Sequence, residues 1–373
     1  MIEAFGLWQD LRTDPVHTEE AGSAQWRFAQ SSTSALWKTP GLFDNFGIKT
    51  TYGIKSSSVA LFAQADWAIT DKLHILPGIR YNNDSKKANY SRVTYGGLQT
   101  TDAALLALKN GVYSNQTFDI DASEDNFSGQ LTLQYKFNKN VNAFGTYSLS
   151  YKPIGVNVGG LPTASGRVLT ELATVKPEAV SHFEFGIKAK PSANSVVNVV
   201  FHNTDIKDYQ TQVQTPEPGV NRGYLANAEQ VRVIGLEIDG NIRVNNHITF
   251  TGAFAYTDGK YVKFTNAPVP IEEVGGERAF KDVSGGVLPG ISKYAGSFGT
   301  ELTGKGSFLG LKGNYFGGLD VYYRSTFSSS PSPSAFLDIE GYALVNGRVG
   351  FRASNGISFF VWGRNLGNKD YYE

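Results

Sequence analysis

Phe127-Ser128-Gly129-Gln130-Leu131-Thr132-Leu133-Gln134-Tyr135-Lys136-Phe137, then Asn138-Lys139-Asn140, then Val141-Asn142-Ala143-Phe144-Gly145-Thr146-Tyr147-Ser148-Leu149-Ser150-Tyr151, is the stretch on which the fold turns. Phe127, Leu131, Leu133, Tyr135 and Phe137 share one parity; Ser128, Gln130, Thr132, Gln134 and Lys136 share the other. Successive side chains of a strand point to opposite faces, so one face is apolar and the other polar. Past Asn138-Lys139-Asn140 the alternation restarts, with Val141, Ala143, Gly145, Tyr147, Leu149 and Tyr151 set against Asn142, Thr146, Ser148 and Ser150. A soluble sandwich with a buried greasy face gives the same alternation. Length separates the two: each arm runs ~11 residues against ~5–6 for an ordinary strand, and tilted strands of ~9–11 residues cross a bilayer. Tyr135, Phe137, Tyr147 and Tyr151 fall towards strand ends, where an aromatic girdle belongs. The stretch therefore reads as a membrane hairpin.

Composition agrees. The 373 residues carry 34 basic and 34 acidic side chains, so no net field points to nucleic acid. The absence of cysteine removes disulfide scaffolds and thiolate metal sites. With 24 Phe, 19 Tyr and 41 Gly, the chain suits aromatic belts and tight turns. No run of ~18 apolar residues marks a transmembrane helix, which leaves strands open as the crossing element. Met1-Ile2-Glu3-Ala4-Phe5 lacks the basic region and apolar core of a signal peptide.

The same rhythm recurs along the chain. Val59, Leu61, Ala63, Trp67 and Ile69 precede a turn at Thr70-Asp71-Lys72, then Leu73, Ile75, Ile79 and Tyr81 follow. Phe183, Phe185 and Ile187 turn through Pro191-Ser192-Ala193-Asn194 into Val197, Val199 and Phe201. Val231 and Val233 disagree in parity with Leu236, Ile238 and Ile242, so a β-bulge near Gly235 is expected. Asn245-Asn246 leads into Ile248, Phe250, Phe254 and Tyr256. The last strands expected are 291–303, 311–325, 339–352 and 357–364. Between the short turns lie long irregular stretches, 12–55, 83–125, 152–176, 211–227 and 260–289. Short turns on one side and long loops on the other, over about thirteen strands, are the pattern of an all-β, antiparallel up-and-down transmembrane barrel. A propeller would show a repeat of roughly 40–50 residues, and none is present.

Several motifs carry a family resemblance: Ala60-Leu61-Phe62-Ala63-Gln64-Ala65-Asp66-Trp67, Leu76-Pro77-Gly78-Ile79-Arg80-Tyr81, Tyr151-Lys152-Pro153-Ile154-Gly155-Val156-Asn157, Val175-Lys176-Pro177-Glu178, Glu184-Phe185-Gly186-Ile187-Lys188, Ile234-Gly235-Leu236-Glu237 and Asn365-Leu366-Gly367-Asn368-Lys369-Asp370-Tyr371-Tyr372. In this order and spacing the region 55–373 resembles the barrel of TonB-dependent outer-membrane receptors. The resemblance implies a barrel of about 22 strands closed by a final aromatic-ended strand. It also implies a plug domain and a TonB-engaging segment (TonB box); these two, and the closing strand expected after Tyr372, have no counterpart here. Residues 1–373 thus read as one partial barrel domain, a fragment of a longer receptor. The implied function is energised uptake of a large scarce ligand, most often a ferric siderophore, across the outer membrane of a Gram-negative bacterium. TonB, ExbB and ExbD are the implied partners, acting through the plug, with outer-membrane lipid around the barrel. A passive porin-type channel and a soluble all-β binding domain are the alternatives.

Enzyme signals are poor. His17, His74, His182, His202 and His247 are scattered, with no pair at metal spacing. No nucleophile elbow, H-E-x-x-H or P-loop is present, and Gly304-Lys305-Gly306-Ser307 reads as a turn. Asp119, Asp121, Glu124 and Asp125 read either as a Ca²⁺ loop or as a solvated loop end. No catalytic residue, resident metal or cofactor is assigned. Candidate ligand contacts combine polar parity with nearness to a long loop: Arg80 and Asn82, Lys152 and Asn157, and Arg324. Cationic and amide groups there suit the carboxylate or catecholate oxygens of a ferric siderophore. The competing reading pairs them with carboxylates such as Asp66, Glu184 and Asp320. Tyr90, Tyr95 and Tyr113 of the longest loop form an aromatic clamp or serve as loop anchors. The sequence does not name the ligand, since vitamin B12, saccharides, haem and plant-derived small molecules meet the same description.

Overall fold

The computed structural model describes residues 1–372 apart from 14–15, 21–33, 165–166, 215–222, 274–277, 279, 332–333 and 335. Thirteen strands pair in sequence order into one antiparallel meander. They are β1 (Ile2–Arg12), β2 (Gly47–Gln64), β3 (Leu73–Tyr95), β4 (Gln116–Asn138), β5 (Val141–Lys152), β6 (Glu178–Ala189) and β7 (Ser195–Gln214). The rest are β8 (Gly223–Arg243), β9 (Ile248–Lys263), β10 (Tyr294–Phe308), β11 (Leu311–Arg324), β12 (Tyr342–Ala353) and β13 (Ser358–Gly363). Two short strands, His17–Glu20 and Trp67–Ala68, extend the sheet.

The alternation of connections holds throughout. Residues 65–72, 139–140, 190–194, 244–247, 309–310 and 354–357 make the short turns, and every other connection lies at the opposite end. In the 127–151 hairpin, Leu131 pairs with Tyr147 and Leu133 with Gly145. On its other face the Thr132 and Thr146 hydroxyls meet at 2.8 Å.

One face of the sheet is greasy and uncovered. Phe127, Leu131, Leu133, Leu149 and Phe185 are 73%, 48%, 47%, 50% and 46% exposed. Ile79, Phe183, Phe201, Ile238, Phe254, Phe298, Leu319 and Val349 continue the belt around the sheet, all exposed. A soluble monomer rarely leaves a contiguous apolar patch beyond a few hundred Å² open to water. Aromatic rings bound the belt. Tyr135 packs on Phe137 at 4.9 Å near the turns, and Tyr81 on Phe127 at 5.1 Å further up. Phe137 to Phe127 is about 33 Å of strand, or about 25 Å along the normal at ~40° tilt, the height of a barrel's apolar band.

Above that band the strands continue where the sequence suggested loops. β3 and β4 each run 23 residues, so Tyr90 and Tyr95 belong to a strand and Arg80 and Asn82 sit in its middle. The connection between them holds a helix, α1 (Ala103–Val112), capped by Asp102, whose side chain accepts from the Ala104 and Leu105 N–H groups. β2 likewise begins at Gly47, well inside the stretch expected to be irregular. Above the belt, hydropathy stops reporting lipid contact, and pairing there follows the neighbouring strands rather than periodicity.

Three further expectations are corrected. No bulge occurs near Gly235; the register is continuous there and shifts at Gln230/Val231. Val231 faces away from lipid because it packs, fully buried, with Val213, Tyr261 and Phe264 under the loop 264–293. Gly304 to Ser307 is strand, and the turn falls at Leu309-Gly310, both with positive φ. Tyr151 leaves the belt: its hydroxyl donates to Asp84 at 2.5 Å, on the polar face two strands away.

Candidate functional site

The polar face of β3–β5 forms a ledge beneath the loop 153–177. Arg80 is its distinctive cation. Its guanidinium lies 5.2 Å from the Phe62 ring centroid and 5.6 Å from that of Phe5. Its Nε donates to Asn82 Oδ1 at 2.5 Å, and buried Asn82 reaches Ser58. The two terminal nitrogens of Arg80 make no hydrogen bond among the described residues. One turn of the ladder higher, buried Asp84 receives the Tyr151 hydroxyl. Lys86 Nζ donates to the Ile154 carbonyl at 2.6 Å, while the Ile154 N–H donates to Glu124 at 2.7 Å. These bonds pin the root of the loop to the wall.

Three carboxamides clasp the rest of that loop, each taking one backbone N–H and one C=O of a single residue. Asn157 accepts from Leu225 N–H at 2.8 Å and donates to Leu225 O at 3.0 Å. Gln116 does the same to Leu161, at 2.9 and 2.8 Å, and Asn227 to Lys176, at 2.9 and 3.1 Å. Each clasp supplies the partners that a neighbouring strand would have offered a bare segment of backbone. Leu161 and Ala173 add an apolar seal, packing on Tyr90, Phe118 and Ile120. A second loop, 264–293, is tied by Glu229, whose carboxylate accepts from the Thr265 hydroxyl and N–H. Burial would raise the Glu229 carboxyl; the Thr265 bonds, a backbone hydrogen bond and the Lys263 charge together outweigh it and hold the group below its ordinary range.

The other candidates divide. Asn157 is buried with both amide ends committed, its Nδ2 also donating to Leu172 O at 2.7 Å. Lys152 pairs with Glu178 at 3.1 Å rather than with Asp66, Glu184 or Asp320. Arg324 stacks on Phe327 at 3.6 Å and donates to Ser292 Oγ and Gly290 O, both at 2.6 Å. Tyr90 is buried and stacked on Phe118 at 4.9 Å. Tyr95 carries Lys49 5.7 Å from its ring. Tyr113, buried at the end of α1, donates to Glu19 at 2.5 Å. The three tyrosines thus sit in separate packing environments. Asp119 and Asp121 share the outer parity with Asp125, whereas Glu124 faces inward; no cation-holding group of carboxylates or histidines forms among the described residues.

Strand register also brings together residues the sequence left apart. Glu184 pairs with His202, and the His182 and His202 rings stack at 6.2 Å. His182 lies 3.6 Å from Glu184, and His202 3.7 Å from Glu237. Further round, Arg348 bridges Glu301 at 2.8 Å and Asp320 at 3.3 Å. Shared polar parity was the available signal; pairing needed the register.

Residues 4–366 match the family model described as TonB dependent receptor-like, beta-barrel. Among curated proteins, the ferric-pyoverdine M114 receptor PbuA of Pseudomonas sp. (strain M114) is 23% identical over 254 residues, which are 66% of this chain and 27% of that protein. Among solved structures, the ferric yersiniabactin uptake receptor FyuA from Yersinia pestis superposes with a TM-score of 0.64 at 17% identity, over 87% of this chain and 42% of that one. The siderophore receptor PiuA from Acinetobacter baumannii gives 0.59 at 17% identity, over 87% and 40%. The chain therefore spans less than half the length of these relatives. The greasy outer face, the alternating turns and loops and the family match converge: this chain belongs to the β-barrel family of TonB-dependent receptors.

Proposed function

We propose that this chain forms the ligand-reading wall of an outer-membrane receptor of a Gram-negative bacterium. Its ligand is a large anionic one, a ferric siderophore, and uptake is energised by TonB, ExbB and ExbD. The single supporting observation is Arg80. Its charge is propped between two rings and steered by Asn82 on the polar face of the sheet, and its two terminal nitrogens make no hydrogen bond among the described residues. A planar guanidinium held this way offers a fork to paired anionic oxygens. Lys152, paired with Glu178, stands above it at the loop root, whereas Tyr151, Asn157 and Tyr113 act by holding loops in place. Transport by such a wall needs no covalent chemistry, because specificity lies in binding. Two curated and structural relatives named for ferric siderophores are consistent with that ligand class.

Quenching of tryptophan fluorescence by a panel of ferric carboxylate, hydroxamate and catecholate siderophores, on the chain refolded in detergent, tests this. At least one anionic complex should bind, and Arg80→Gln should weaken it by about 10- to 100-fold, the loss of a bidentate charged contact. An R80Q protein that binds the same complex equally well refutes the assignment of Arg80.

A further inference from the structure

The short-turn end of the sheet is basic. The stretches 134–146, 185–200, 240–252, 304–316 and 349–361, which span the last five short turns, contain no aspartate or glutamate. On the polar face, every strand running down to one of these turns ends on a cation. They are Lys136 on β4, Lys188 on β6, Arg243 on β8, Lys305 on β10 and Arg352 on β12, all exposed. Two strand spacings separate each from the next, or about 10 Å along the wall. Lys136 reaches His74 at 3.3 Å, and Arg243 caps its own turn at Asn245 and Asn246. None of the five pairs with a carboxylate among the described residues. Carboxylates of the same face are engaged elsewhere: Asp66 by His74, Asp239 by Asn198, and Glu301 and Asp320 by Arg348.

Two of the cations are mounted alike. Phe144 and Phe316 break the polar alternation of β5 and β11. Each ring lies over the glycine paired with it, Gly186 or Gly350, where a Cβ would collide with the ring. Two residues beyond each glycine, one step nearer the turn, stand Lys188 and Arg352, each 5.5 Å from its ring centroid. The negative face of the ring attracts the charge and fixes where a long side chain holds it. The rings thus have a use on a wet face: they position cations at this end of the wall. Arg80 is a separate feature, about 23 Å along β3 from Leu73.

We propose that this end of the polar face is a second, weaker anion site for the same multiply charged ferric complex that Arg80 binds. The proposal rests on the reading of the cargo as anionic. Cations about 10 Å apart act jointly on a multivalent anion, because charge is felt over about 8 Å at physiological salt. With no carboxylate bound to them, the anion displaces only water and mobile counter-ions. Such a row raises the local concentration of the anion without gripping it, which suits a cargo that has to leave. The five cations share the polar parity, so they turn away from the apolar belt and from lipid.

A nitroxide at Asn142→Cys, directly between Lys136 and Lys188, tests this on the chain refolded in an uncharged detergent. Its relaxation is measured with the trianionic ferric complex of a hexadentate tris-catecholate and with an uncharged ferric trihydroxamate, each scaled to a free nitroxide. At low salt the trianion should relax the label about tenfold more than the neutral complex, falling to about twofold or less at about 1 M salt. Lys136→Gln with Lys188→Gln should bring the two complexes level. Lys55→Gln with Lys87→Gln removes the same charge from the opposite face and should change nothing. Phe144→Leu keeps every charge and should lower the ratio about threefold. Arg80→Gln should leave the ratio intact, so failure of the Arg80 assignment shows in tight binding and not here. Circular dichroism confirms that each variant keeps its strands. Two complexes already level in the parent overturn the proposal, and so does a preference that survives in the Lys136→Gln, Lys188→Gln variant. Loss of the preference when phosphatidylglycerol joins the detergent overturns it too, because the cations would then belong to lipid.

Discussion

Replacing Asn157 by alanine should release the loop 153–177 without disturbing the barrel wall. The Asn157 side chain makes three hydrogen bonds, to Leu172 O at 2.7 Å, to Leu225 O at 3.0 Å and from Leu225 N–H at 2.8 Å, in a site that is 5% exposed. Each bond contributes about 1 kcal/mol net, so their loss costs about 3 kcal/mol of local docking free energy. When amides exchange through local opening, that is about a hundredfold faster exchange. Hydrogen exchange of the chain in detergent should show the acceleration across residues 153–177, including the Leu161 and Val175 amides. Amides of the β4–β5 hairpin, which share no partner with Asn157, should keep their protection. Asn157→Asp should be at least as damaging, because it discards both donors and sets a charge beside the Leu172 and Leu225 carbonyl oxygens. Loop protection in N157A within about threefold of the parent would refute the clasp as the device that holds the loop.

Two other outcomes follow from the wall and its second loop. A Cβ at Gly235 would stand 2.1 Å from His202 Nε2, so Gly235→Ala should lower unfolding stability by about 1–3 kcal/mol in a denaturant titration, and His202→Ala should recover most of that in the double variant. An unrelieved penalty would place the clash elsewhere. Because the folded Glu229 carboxyl is held below its ordinary range, its contribution is fully present above the unfolded value of about 4.3 and is lost as pH falls through the lower folded value. A nitroxide at Val287→Cys should therefore loosen below about pH 4 in the parent, and show no such transition when Glu229→Gln accompanies it.

Much of the barrel could be read from residues 127–151 and their echoes, because lipid on one side and water on the other impose a strict period of two. That constraint ends with the belt. Tyr90 and Tyr95 read as loop residues because nothing in their neighbourhood alternates by hydropathy, yet β3 and β4 carry each other upward as a paired ribbon. Val231 implies a bulge only if its greasy side chain faces lipid; it faces a loop cluster instead. Tyr151 looked like a girdle residue until Asp84 supplied a partner from two strands away.

The candidate site was legible to the same depth. Polar parity selects Arg80, whose packing partners lie on one wall. It equally selected Asn157, whose role depends on Leu225, 68 positions along the chain. Carboxamide clasps leave no local trace in sequence, since Asn and Gln are common in loops for other reasons. His182 and His202 meet only once β6 and β7 are in register.

The orientation of the sheet is the most direct thing to measure, and the absence of cysteine makes it practical. Nitroxides attached at Leu133→Cys and at Gln134→Cys, adjacent residues on opposite faces, can be compared in lipid vesicles by collision with oxygen and with a water-soluble nickel chelate. The label at 133 should be relaxed chiefly by oxygen from the hydrocarbon, and the label at 134 chiefly by the chelate. If 134 answers to oxygen and 133 to nickel, or if both answer to nickel, the greasy face does not meet lipid and the chain is not standing in the membrane as described.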